Sequence, residues 1–122
     1  MVEVLLRTPA AASVERRLHD MRETLHAPHL IDLEIAHVMR RYAARGDIDG
    51  ERGRAALEDL ADFPLHRYPH ILLLPRVWEL RNNLTAYDAV YVALAEALDA
   101  PLITRDQRLA AASGHQARIE LV

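Results

Sequence analysis

Residues 84 to 109, LTAYDAVYVALAEALDAPLITRDQRL, constrain the fold more than any other stretch of the chain. Val90, Ala93, Leu94, Ala97 and Leu98 recur at i, i+3, i+4, i+7 and i+8, the spacing that buries one face of a helix. Asp99, Ala100 and Pro101 stop that helix. Leu102, Ile103 and Thr104 follow as a short apolar run suited to a strand covered on both faces. An acid sits at each end of the unit. Thr85 and Asp88 match the [ST]xx[DE] capping box, in which the hydroxyl takes a free helix N–H and the acid faces the positive helix end. Asp106 reads as the N-cap of a short helix from Gln107 to Ala112. In a parallel sheet, a helix start and a strand's carboxyl end both face the crevice where open α/β sheets bind ligands. Two capping acids there are also placed to be two metal ligands.

The rest of the chain alternates strands with helices, the pattern of an α/β fold with a largely parallel sheet. Met1 to Arg7 reads as the end of a helix, restarted at Thr8 with Pro9 in its first turn. Ala12, Leu18 and Met21 supply its buried side, and Arg16 and Arg17 a solvated face. Thr24 to Leu30 reads as a strand near an edge or the lead-in to a helix. Ile31, Ile35, Val38, Met39 and Tyr42 then form one helical stripe, capped by Gly46. Glu34 lies at the border of that stripe and, from the residues alone, reads as a first-turn acid favoured by the helix dipole; Asp32 competes for a capping role. Residues 47 to 62 read as a capped, charged helix with Ala55, Ala56, Leu57 and Leu60 inward. Leu65 to His70 reads as a strand interrupted by Pro69, and Pro75 to Leu84 as a short helix. Its Trp78, at helical spacing, reads as a core residue rather than a base-stacking platform. Arg118 to Val122 closes the chain as a strand. No repeat or low-complexity linker divides it, so residues 1 to 122 read as one domain.

Composition narrows the chemistry. The chain has no cysteine, which removes disulfides, thiolate metal sites and a cysteine nucleophile and fits a reducing compartment. A net charge of −3 argues against holding nucleic acid by bulk positive charge, so any RNA contact is local. All 15 basic residues are arginine, a bias that a GC-rich genome explains more simply than a site does. No apolar run has the length to cross a bilayer, and the first residues lack the pattern of a secretory leader, so the expectation is a cytoplasmic protein without a membrane. The seven histidines include the pairs His26/His29 and His66/His70, but both pairs fall in proline-containing segments without an HExxH context. Nothing resembles a GxSxG elbow, a Walker loop or a GxGxxG turn.

Run together in this order, the YDAVYVALA helix and the PLITRD strand end resemble the C-terminal half of PIN-domain proteins, especially VapC-type toxins of type II toxin-antitoxin systems. The resemblance implies a three-layer α/β/α fold with a mostly parallel sheet. It also implies a metal-dependent endoribonuclease that cleaves RNA through carboxylate-bound Mg2+ or Mn2+. LIDLEIAHVMRR resembles the helix that carries an early acid in this family. Residue by residue, the resemblance assigns Glu34, Asp88 and Asp106 as metal-site and catalytic acids and Thr104 as a supporting polar group. It implies a VapB-type antitoxin partner, an RNA substrate and a homodimer. The departure is at the front, where the family begins with an apolar strand ending in an aspartate. MVEVLLRTPAAASVERRL resembles the helix that follows, so the expectation is that the first strand and its acid are missing and the domain is N-terminally incomplete. Glu3 is not given the missing role. The alternative is a catalytically degenerate PIN-like module that binds an antitoxin without cleaving RNA.

Overall fold

In the computed structural model, which describes residues 2–6 and 23–121, five segments pair into one sheet. They are β1 (Val2–Leu6), β2 (Glu23–Pro28), β3 (Leu65–Tyr68), β4 (Leu102–Thr104) and β5 (Ile119–Leu121). Their order is β3-β2-β1-β4-β5, and every neighbouring pair is parallel. The α/β class with a parallel sheet is therefore as the helix–strand alternation predicts.

The front of the chain corrects the sequence reading. Val2–Leu6 is the central strand, in register with β2 (Leu5 beside His26) and with β4 (Leu5 beside Leu102), and is neither a helix end nor an absent strand. The physical reason is that VEVLL is a short run, apolar but for Glu3, which periodicity cannot assign to helix or strand. Hydrogen-bonding neighbours on both sides decide it. No acid ends this strand, since Arg7 follows Leu6 and Glu3 lies mid-strand beside Thr24. The helix expected from Thr8, with Pro9, Ala12, Arg16, Arg17, Leu18 and Met21, lies outside the described residues.

Helices fill the connections: α1 (Leu30–Ala44), α2 (Gly50–Asp62), a 3-10 turn (Ile71–Leu73), α3 (Leu74–Glu79), α4 (Ala86–Leu98) and α5 (Gln107–Ala111). The stop signals act as their chemistry requires. Gly46, at φ +78°, follows the last turn of α1 and donates its N–H to Ala43 O. Asp99 takes the left-handed conformation (φ 49°) directly after α4, and Asp49 caps α2 by accepting the Arg52 N–H at 2.8 Å.

The core sits around α4, which packs across β2, β1 and β4. Every residue from Ala89 to Ala95 is buried, so this helix is enclosed on all sides where the spacing predicts one buried face. Ala97 is exposed instead, because the helix emerges from the core before its last turn. β4 is buried throughout, as its apolar run predicts. In α2, by contrast, Ala55 is exposed and Ala56, Leu57 and Leu60 are only half-buried.

Candidate active site

The strand order reverses between β1 and β4: β2 and β3 extend the sheet to one side, β5 to the other. A reversal of this kind opens a crevice at the strands' carboxyl ends, the usual ligand position in open α/β sheets. α4 precedes β4 and runs back along the sheet, so its amino end points to the same edge. Local capping then fixes both acids. The Asp88 N–H donates to Thr85 Oγ1 (3.1 Å), half of the expected capping box. Asp106 accepts the Arg108 N–H at 2.9 Å and the Leu109 N–H at 3.4 Å, which makes it the N-cap of α5.

These two acids, 18 positions apart in sequence, line one open crevice of about 590 Å³ together with Arg81, Asn83, Thr85 and Arg108. Both carboxylates are half-exposed. Thr104, 1% exposed, lies behind them: its Oγ1 accepts the Asp106 N–H at 3.0 Å. The geometry gives Thr104 the work of aiming Asp106.

Glu34 does not line this crevice; its link to the Asp88 helix is through Tyr91. It lies in the second turn of α1, and its Oε1 accepts a hydrogen bond from the Tyr91 hydroxyl. Tyr91 is fully buried and stands three residues after Asp88 on α4, one turn along the same face. Sequence reasoning missed Tyr91. The available signal was that a tyrosine inside a buried helix needs a partner for its hydroxyl, but that signal does not name the partner. Asp32 does not cap α1; it accepts the Arg67 Nε at 2.8 Å and 3.0 Å, joining α1 to β3.

The donor set suits a hard divalent cation. Mg2+ and Mn2+ take oxygen ligands, and Mg2+ is commonly held by one or two carboxylates together with substrate phosphate and water. Asp88 and Asp106 supply two carboxylates at one crevice. Among the described residues, no three His, Cys, Asp or Glu side chains gather closely enough to hold a metal by themselves.

The histidines of the two pairs, His26, His29, His66 and His70, have structural partners instead. His26 stacks on His66 across β2 and β3 with ring centroids 4.8 Å apart, and its Nδ1 shares a hydrogen bond with the Tyr68 hydroxyl. His70 Nε2 accepts the Leu30 N–H at 3.0 Å and so tethers the start of α1. The expectation of a core Trp78 is overturned. It is 67% exposed, since α3 has only six residues and turns this position away from the core.

Fold and site together define a parallel α/β domain with a carboxylate-lined crevice at the switch point of its sheet. Comparison with known proteins gives that class a family. A family model for the PIN domain matches residues 1–114, and the chain belongs to the PIN-domain family. Ribonuclease VapC1 of Mycobacterium tuberculosis is 47% identical over 124 residues, spanning 100% of this chain and 92% of the relative. Ribonuclease VapC12 of the same species is 43% identical over 121 residues, spanning 99% and 92%. Among solved structures, PAE2754 from Pyrobaculum aerophilum superposes with a TM-score of 0.70 at 26% identity, covering 97% of this chain and 89% of that one. VapBC2 from Rickettsia felis, solved bound to a DNA fragment from their promoter, shares the fold with a TM-score of 0.67 at 13% identity, covering 100% and 99%. No helix among the described residues is long and apolar enough to cross a membrane.

Proposed function

We propose that this chain is the toxin of a VapBC-type pair, an endoribonuclease that works as one domain in the cytoplasm. The observation that carries the reading is the meeting of Asp88 and Asp106 in one crevice at the sheet's switch point. The two relatives named ribonucleases, similar over the whole chain, support it. Asp88, Asp106 and Glu34 are the metal-site acids, with Mg2+ or Mn2+ as the ion and Thr104 as the support of Asp106. When bound, the ion supplies positive charge against the scissile phosphate. The chain's own contribution is placement. Capping holds Asp88 at the start of a buried helix, Thr104 holds Asp106, and the Tyr91 hydroxyl fixes the Glu34 carboxylate one turn deeper. Arg81 and Arg108 offer guanidinium groups to phosphate at the crevice rim. A VapB-type antitoxin and a second copy of the chain are the protein partners this reading entails.

One observation favours the non-catalytic alternative, a module that binds the antitoxin without cleaving RNA: three acids do not converge among the described residues. A single substitution separates the two. Asp88→Asn keeps the Thr85 cap and removes a helix-dipole interaction of about 0.3–1 kcal/mol, so the fold persists. As an enzyme, the chain with Mg2+ or Mn2+ cleaves single-stranded RNA, and Asp88→Asn lowers the rate at least about 100-fold with an unchanged circular dichroism spectrum. Cleavage that survives the substitution sinks the site assignment. A wild-type chain that never cleaves but captures its antitoxin establishes the alternative.

A further inference from the structure

Trp78 is out of place for a chain of this size. Tryptophan is the largest apolar side chain, and proteins usually bury most of it, yet here it is left 67% exposed. Its setting is specific. The Arg81 guanidinium lies over the indole, 4.5 Å from the ring centroid, and its Nη1 donates to the Trp78 carbonyl at 3.0 Å. One ring face is therefore covered by a cation and the arginine is fixed in that position, so the exposure belongs to the other face and the ring edge.

The location adds the second observation. Trp78 lines an open groove with Leu74 and Val77, and that groove adjoins the acid crevice: Arg81, Leu84 and Thr85 line both. Arg81 thus touches the aromatic surface with one side and the carboxylate crevice with the other. Beyond it, the crevice rim carries Arg108, whose side chain is almost fully exposed. A flat aromatic face backed by a cation, continuous with a carboxylate site rimmed by arginine, matches unpaired nucleotides. Bases stack on aromatic rings and guanidinium planes, and phosphates pair with arginine. A duplex hides its base faces and cannot use such a platform.

We propose that Trp78, held by Arg81, is the stacking platform for a base of single-stranded RNA next to the nucleotide whose phosphate enters the Asp88–Asp106 crevice. The proposal rests on the ribonuclease reading and adds to it the residue that receives a base of the single strand. Trp78 binds and positions; the acids do the chemistry.

The chain has one tryptophan, so its fluorescence reports this ring alone. The experiment titrates the full chain, with EDTA present to prevent cleavage, with a fluorescently silent single-stranded RNA oligonucleotide and with the same strand in a duplex. In parallel, KM and kcat are measured with Mg2+ for wild type, Trp78→Ala and Trp78→Phe. Expected are saturable quenching by the single strand and not by the duplex, a KM raised about tenfold or more in Trp78→Ala, kcat within about twofold, and recovery of most of the loss in Trp78→Phe. An unquenched tryptophan together with an unchanged KM in Trp78→Ala overturns the platform. So does an emission shift on dilution of the protein alone, with Trp78→Ala monomeric and unaltered toward RNA, because that face then belongs to a second copy of the chain. The two readings fail separately. Quenching without any cleavage upholds the platform and refutes the nuclease; cleavage abolished by Asp88→Asn without quenching does the reverse.

Discussion

Glu96→Gln tests how the site's scaffold is held. Glu96 lies on α4 and takes two bonds from Arg76 of α3, Nε to Oε1 at 2.7 Å and Nη2 to Oε2 at 2.9 Å, while the Gln116 N–H donates to Oε2 at 2.8 Å. Three segments meet on one carboxylate. Glutamine keeps the shape and can still accept the Gln116 bond, so the substitution removes mainly the charge and one guanidinium bond. A hydrogen bond to a charged group is worth about 1.5–3 kcal/mol when well buried. Arg76 is about one-third exposed, and solvent screening pulls the figure toward that of surface pairs, giving a loss of about 1–2 kcal/mol. In a domain of this length that is a fall in Tm of about 4–8 °C. The pH dependence carries a sign. Arg76 is the first cause holding the Glu96 carboxyl below the ordinary glutamate range, joined by the Gln116 N–H and opposed by burial. A carboxylate whose folded pKa is depressed stabilises the fold above its unfolded pKa of about 4.3 and loses that contribution as pH falls through the folded value. Arg76 itself is pushed further up by the same pair and stays charged throughout. Urea unfolding of both proteins from pH 7 down to pH 3 should therefore show a gap that is full at pH 7 and closes below the usual glutamate pKa. Equal stability at pH 7, or a gap that widens as pH falls, refutes the reasoning.

Two further substitutions probe the crevice and its rim. Thr104→Val keeps the buried volume but strands the Asp106 N–H; urea unfolding should show a loss of about 1–2 kcal/mol and RNA cleavage a fall of about tenfold or more, with Thr104→Ser retaining most of both. Gly114 has φ +87°, and a Cβ there would lie 2.8 Å from Asn83 Cγ. Gly114→Ala should lower stability by about 1–3 kcal/mol, and adding Asn83→Ala should recover the steric part while leaving the backbone strain, which a double-mutant cycle in urea measures directly.

What could be read from the sequence was local. The α4–β4–α5 unit declared itself because its signals lie within a few residues of one another: the helical stripe, the Thr85/Asp88 spacing and the Asp106 cap. What could not be read depends on partners distant in sequence. β1 is a strand because β2 and β4 flank it, and a run of five residues carries no period long enough to say so. Glu34 and Tyr91 are 57 positions apart, and Arg76 and Glu96 are 20 apart. No spacing rule joins either pair. Trp78 was misread for a related reason. In a helix of six residues, helical spacing does not reveal which side meets the core, and only the packing of α3 on α4 settles it.

The site's precision follows from where those distant partners converge. Asp88, Tyr91 and Glu96 lie on one helix whose middle seven residues are wholly buried. Asp88 faces the crevice, Tyr91 fixes Glu34 of α1, and Glu96 fixes Arg76 of α3, the helix that presents Trp78. Asp88, Glu34 and the aromatic surface are thus referenced to a rigid element rather than to loops, the arrangement that keeps a binding constellation within tolerance, while Asp106 is held beyond the end of β4 by Thr104 and its own cap. It follows that Glu96→Gln should act on RNA through position as well as stability. With the Arg76 tie loosened, α3 should shift relative to Asp88, so KM should rise at temperatures where the protein is still fully folded, while kcat, which the ribonuclease reading assigns to the acids, should stay close to wild type.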